Sequence, residues 1–178
     1  YYYYGDNRHA PYGNLPPKKI RRYVFKVFRL FKKLQVKAAV VACNTATAVA
    51  IEPLRAAYPE LPIIGIEPAV KPARVAGCKR VLVLATPVTV SESRFAALLR
   101  ANSREGCEFI GVPCRELAFM IENDSTSEEI EDYLSSVFAP YRAEGFDGIV
   151  LGCTHYPLVK DEIKRAAGAD VRVFDGAD

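Results

Sequence analysis

The sequence predicts an α/β protein built on parallel sheets with helices on both faces, and three observations predict it. Apolar runs of strand length alternate with amphipathic runs of helical length along most of the chain. Twice, a strand-like run stops at a cysteine trailed by small polar residues, once at Cys43-Asn44-Thr45 and once at Cys153-Thr154-His155. Between these two copies, residues 65–72 carry Pro68 and Pro72 and no firm periodicity, which marks a crossing between two lobes.

From the N-terminus, Tyr1 to Tyr4 read as a strand closed by the turn-forming Gly5-Asp6-Asn7, and residues 11–17 read as a loop by composition. Residues 18–35 form a predicted helix, with Ile20, Tyr23, Val27, Leu30, Phe31 and Leu34 at helical spacing. Strands are expected over 38–42, 62–66, 80–85, 108–112, 148–152 and 171–174. Helices are expected over 46–58, 91–102, 115–123, 127–144 and 158–167. The clearest amphipathic pattern is the one opening at Ser127 as N-cap, followed by Ile130, Leu134, Val137 and Phe138.

Composition narrows the function classes. The chain has 178 residues, half of them hydrophobic and a quarter charged, enough to bury a real core. No apolar stretch reaches the roughly 18 residues of a membrane span, and no secretory signal is visible. The five cysteines (43, 78, 107, 114 and 153) form no Cys-x-x-Cys pair. An odd, unpaired set argues against a disulfide framework or a zinc ribbon and points to a reducing cytoplasm. The net charge of +3 is too mild to imply nucleic acid. Eight of the 24 Lys and Arg residues do fall on helix 18–35, but no aromatic or Asn/Gln readers interleave with them, so they read as a solvated face. A non-catalytic binding protein using that basic helix is the alternative from a different class.

In an open α/β sheet, ligands bind beyond the carboxyl ends of the strands, which places Cys43 and Cys153 at the mouth of a cleft. Asn44, Thr45, Thr154 and His155 supply donors where a helix N-terminus attracts anions, and the same field is expected to lower a thiol pKa. Two thiols facing one ligand suit chemistry with a base on one face and an acid on the other. Cys78, Cys107 and Cys114 read as small core residues, and His9, in a loop, is given no role. Neither a phosphate loop nor a Schiff-base lysine stands out, so no cofactor and no metal are expected.

Specific motifs then resemble those of bacterial glutamate racemases, in the aspartate/glutamate racemase superfamily. They are Tyr4-Gly5-Asp6 with Pro11-Tyr12-Gly13, Cys43-Asn44-Thr45-Ala46, Gly65-Ile66-Glu67-Pro68-Ala69, residues 85–90 (Ala-Thr-Pro-Val-Thr-Val) and residues 152–158 (Gly-Cys-Thr-His-Tyr-Pro-Leu). They occur in family order and span nearly the whole chain. The resemblance implies two pseudo-symmetric α/β lobes with the active site in the cleft between them, one spanning residues 1–67 and carrying Cys43, the other spanning 68–175 and carrying Cys153. Residues 176–178 would begin a return to the first lobe.

The resemblance also implies cofactor-independent racemisation of glutamate, supplying D-glutamate for peptidoglycan. Cys43 would take the proton from the D isomer and Cys153 from the L isomer, with His155 as a further catalytic residue. Tyr12, Gly13, Asn44, Thr45, Thr86, Thr89, Thr154 and His155 would bind substrate, and Glu122 would stand near the histidine. A sister racemase acting on aspartate or another small acid is the enzymatic alternative, and a homodimer is compatible with either. The family's opening strand, ending in Asp-Ser-Gly, has no counterpart here, nor has its final segment. The expectation is a racemase lacking roughly its first thirty residues and a similar tail, with the first lobe damaged, the second intact and the 178 residues alone inactive.

Overall fold

A computed structural model describes residues 1–104 and 106–176. The first lobe holds a 3₁₀ turn at Tyr12–Asn14, then α1 (Pro17–Lys33), β1 (Ala39–Val41), α2 (Asn44–Ala57) and β2 (Ile63–Gly65). A short helix, α3 (Val70–Val75), leads into β3 (Arg80–Ala85), α4 (Pro87–Ser91), α5 (Ser93–Asn102) and β4 (Glu108–Pro113). The chain continues through α6 (Leu117–Glu122), α7 (Ser127–Phe138), β5 (Gly148–Leu151), α8 (Lys160–Ala167) and β6 (Arg172–Phe174). The α/β class expected from the alternating pattern is the one observed, with two separate parallel sheets.

β1 and β2 pair in parallel, from Ala39 opposite Ile63 to Val41 opposite Gly65. The second sheet has the order β4-β3-β5-β6, with every described pair parallel. Period-two alternation divides its core. From β3, Leu82 and Leu84 join Leu117, Leu134, Phe138 and Ile163 on one face. Val81, Val83 and Ala85 join Val70, Phe95 and Leu99 on the other. A third cluster, including Ile20, Val24, Phe28, Ala50 and Leu54, seals α1 and α2 onto the small sheet.

One contact between these helices follows directly from sequence. Pro53 lies inside α2 and has no N–H, so the carbonyl four residues earlier, that of Val49, loses its helical donor. Arg21 of α1 supplies one instead, its Nη2 donating to that oxygen at 3.4 Å.

Several expectations change in detail. Tyr1 to Tyr4 form no strand: their aromatic side chains suit a sheet, but the β preference of such residues depends on a paired neighbour, and their backbone has none. The buried stripe of α1 runs Ile20, Val24 and Phe28, whereas Leu30 and Leu34 face solvent with all eight basic residues. The N-cap of α7 is Thr126 rather than Ser127, because Thr126 Oγ1 accepts from Glu129 N while the Glu129 carboxylate accepts from Thr126 N. The same helix stops at Phe138, not at 144, and Pro140 sits in the 3₁₀ turn that follows. The crossing at 65–72 contains the start of α3, whose Val70 and Ala73 are buried. The return to the first lobe expected at 176–178 lies, beyond Gly176, outside the described residues. No helix among the described residues is long and apolar enough to cross a membrane.

Candidate active site

Both cysteines sit just past the carboxyl end of a parallel strand. Cys43 follows β1 by two residues and is the N-cap of α2, with Sγ accepting from Ala46 N at 3.5 Å. Cys153 follows β5, after Gly152, whose N–H donates to Leu84 O at 2.7 Å. A Cβ at position 152 would lie 2.7 Å from that same oxygen, so glycine is what lets the turn carrying Cys153 press against β3. The chain leaves β3 toward β4 on one side and later returns to β5 on the other. This reversal makes a switch-point crevice between the ends of β3 and β5, where Thr86 and Cys153 lie.

Tyr12, Cys43, Glu122, Thr154 and His155 line one cleft of about 930 Å³, together with Asp6 and the chain's first four tyrosines. Cys153 lies behind His155, with its Sγ 3.6 Å from His155 Nδ1. His155 Nε2 is 2.5 Å from Glu122 Oε1 at the end of α6. An ionised carboxylate only accepts, so Nε2 carries a proton, and in a neutral imidazole the lone pair of Nδ1 then faces the thiol. Glu122 therefore orients an imidazole that can take the Cys153 proton.

The remaining predicted residues are placed elsewhere. The hydroxyls of Thr45, Thr86 and Thr89 close a buried triangle at 3.0, 3.1 and 2.9 Å, joining α2 of the first lobe to α4 of the second. Gly13 is buried against Thr86, and a Cβ there would meet Thr86 Cγ2 at 2.6 Å. Asn44 and Thr89 line a narrow crevice with Ile66, Pro68 and Arg94, and Asn44 Oδ1 is a buried acceptor with no hydrogen-bond partner. Arg94 also spans the lobes, with its Nη1 2.6 Å from Glu52 and its Nε 2.7 Å from Glu67.

The electrostatics correct one expectation. Burial pushes the Cys153 thiol up to about 12, and the N–H groups of His155, Thr154 and Tyr156 only partly offset it. Burial likewise raises Cys43, against the pull of the Ala46 and Thr45 donors. Desolvation of a thiolate outweighs the helix-terminus field, so both groups rest as thiols. A negative charge on Cys43 raises Cys153 further, so the two sulfurs are within electrostatic reach of each other. Cys78 and Cys114 are buried core residues, Cys107 is half-buried, and all five thiols are free. Among the described residues, no group of three or more His, Cys, Asp or Glu side chains could hold a metal.

The reading of the sequence by its residues alone missed Asp6 and His9. Asp6 Oδ2 accepts from the Tyr12 hydroxyl at 2.5 Å, and His9 Nδ1 lies 2.8 and 3.0 Å from the two Asp6 oxygens. The available signal was their i, i+3 spacing across the turn after Gly5.

Two parallel-sheet lobes, with Cys43 past a strand end in one and Cys153 past a strand end in the other, fit the class of two-lobed α/β racemase folds. The chain belongs to the Asp/Glu/Hydantoin racemase family, whose pattern matches residues 2–178. Glutamate racemase of Clostridium acetobutylicum is 42% identical over 177 residues, covering 98% of this chain and 68% of that protein. The Clostridium perfringens glutamate racemase is also 42% identical, over 99% of this chain and 68% of its own length. Among solved structures, the RacE1 isoform of glutamate racemase from Bacillus anthracis superposes with a TM-score of 0.84 at 31% identity, covering 97% of this chain and 65% of that one. The chain thus spans about two thirds of the length of these relatives.

Proposed function

We propose that this chain carries the cysteine pair of a cofactor-independent racemase that interconverts L- and D-glutamate. The observation that carries the reading is the placement of Cys43 and Cys153 at matching strand ends of the two lobes, close enough for the charge of one to oppose ionisation of the other. That repulsion disfavours ionisation of both thiols at once, so a thiolate formed on one side faces a thiol on the other. The thiolate removes the α-proton from one face of the amino acid, leaving a carbanion whose charge spreads into the α-carboxylate. The opposite thiol then donates its proton to the other face, and the base and acid roles have exchanged at the end of the turnover. Cys153, next to His155 and through it Glu122, serves as base for the L isomer, and Cys43 for the D isomer. The unpartnered Asn44 oxygen and the Thr154 and His155 groups at the cleft are the substrate-binding candidates.

Glutamate rather than aspartate is favoured by the names of the relatives. The associated role is supply of D-glutamate for peptidoglycan in the cytoplasm, and a homodimer is compatible with it. Circular dichroism of L-glutamate, L-aspartate and other small acids incubated with the full-length parent tests substrate choice, and unchanged rotation with glutamate rejects the reading. Cys43→Ser and Cys153→Ser are each expected to abolish racemisation while retaining solvent-deuterium exchange at the α-carbon of one isomer, read by NMR. Equal exchange of both isomers by both variants would falsify the assignment of faces. Cys78→Ser, away from the cleft, is the control and should turn over near normally.

A further inference from the structure

We propose that His9 is a positioning residue for the cleft: through Asp6 it holds the Tyr12 phenol, and with it the turn that forms the wall beside Cys43. The proposal rests on the racemase reading only for its kinetic consequence, since the geometry stands by itself.

The chain of contacts is short. The His9 ring stacks on Tyr23 of α1 with centroids 3.9 Å apart and planes 19° from parallel. Arg22 lies over the Tyr23 ring at 5.4 Å, so the platform beneath the imidazole is itself held in place. His9 Nδ1 reaches both Asp6 oxygens, and Asp6 Oδ2 takes the Tyr12 proton. The turn is closed by the backbone as well, with His9 N and Ala10 N both donating to Asp6 O at 3.1 Å. Tyr12 opens the 3₁₀ turn whose next residue, Gly13, packs on Thr86 of the other lobe.

Two chemical consequences follow. Burial alone would raise the Asp6 carboxyl, but the hydrogen bonds from Tyr12 and His9, with the charges of His9 and Lys26, hold it below its ordinary value. Asp6 therefore stays an acceptor, and the single proton of Tyr12 is committed to it, which leaves only phenolic lone pairs to face the cleft. Secondly, an ionised Asp6 accepts and never donates, so His9 Nδ1 must carry a proton. A neutral His9 is thereby the Nδ1–H tautomer.

The stack and the hydrogen bond can be separated by substitution. His9→Phe keeps a ring on Tyr23 and removes the donor, whereas His9→Asn keeps a donor near the Nδ1 position and removes the stack. With glutamate as substrate, His9→Phe is expected to raise KM by about three- to tenfold with kcat within about twofold, the range of one lost hydrogen bond. His9→Asn is expected to stay within about twofold of the parent in both constants. If Phe preserves KM and Asn raises it, the ring only packs and the proposal fails. Histidine-labelled ¹⁵N NMR above the titration range provides an arm independent of turnover, with the His9 signals assigned by their loss in His9→Phe. A protonated Nδ1 supports the proposal, and an Nε2–H tautomer overturns it. Absence of glutamate turnover in the parent would reject the racemase reading and leave this tautomer result to decide the role of His9.

Discussion

At Cys153, three backbone N–H groups pull the thiol pKa down and burial pushes it up by more, to about 12 from an ordinary 9.0. The two proposed bases thus rest as neutral thiols, with His155 Nδ1 3.6 Å from the Cys153 sulfur. A raised acid pKa gives a definite sign: the thiolate fraction grows as pH rises, all the way toward the raised value. kcat/KM for L-glutamate is therefore expected to climb with pH across about pH 7–9, by up to tenfold per unit. Initial rates from circular dichroism measure it, and a flat profile there would mean that the base is already ionised in the free protein. Asn44 is a further residue-scale feature, since an amide oxygen buried without a partner costs stability unless something donates to it.

Among the elements, α7 shows how a helix is started by side chains and stopped by a missing donor. The reciprocal pair Thr126–Glu129 satisfies two N-terminal N–H groups. Ile130, Leu134 and Phe138 then bury one face against the second sheet. Thr126→Ala removes the hydroxyl that accepts from Glu129 N and is expected to cost about 0.5–2 kcal/mol, read as a lower urea midpoint at unchanged slope. Turnover at 25 °C should be unaffected, because α7 contributes no group to the cleft. α2 is the contrasting element: its N-cap is a catalytic candidate, its interior contains a proline, and its orphaned carbonyl is repaired by Arg21 from α1.

At the scale of the whole molecule, the two lobes meet through polar contacts. The Thr45–Thr86–Thr89 triangle is buried, and Arg94 ties Glu52 to Glu67 nearer the surface. Because each hydroxyl in the triangle bonds to the other two, Thr45→Val leaves Thr86 and Thr89 with each other but strips one partner from each. The expected cost is about 1–3 kcal/mol in global stability, measured by denaturant unfolding. The same change should raise KM for glutamate, since it loosens α2, which carries Cys43, against α4. A variant as stable as the parent would show that water replaces the lost hydroxyl, and would remove the triangle as a bond between lobes.

The sequence by itself determined the alternation of strands and helices, because period-two and period-3.6 patterns are local and survive without knowledge of partners. It also singled out two of the five cysteines, since Cys43 and Cys153 each follow an apolar run and precede small polar residues, whereas Cys114, just past β4, precedes the charged Arg115-Glu116. Element ends were less legible: Thr126 and Ser127 are both sound N-caps, and only the reach of Glu129 chose between them. Tyr1 to Tyr4 have the residues of a strand, but pairing is a property of neighbours. Tertiary structure alone decided that the three threonines bond to one another, that Glu122 meets His155, and that His9 lies on Tyr23 against Asp6. It also reversed the expected thiol shift, because the helix-terminus field can be read from local order, whereas the desolvation that outweighs it depends on every segment packed around the sulfur.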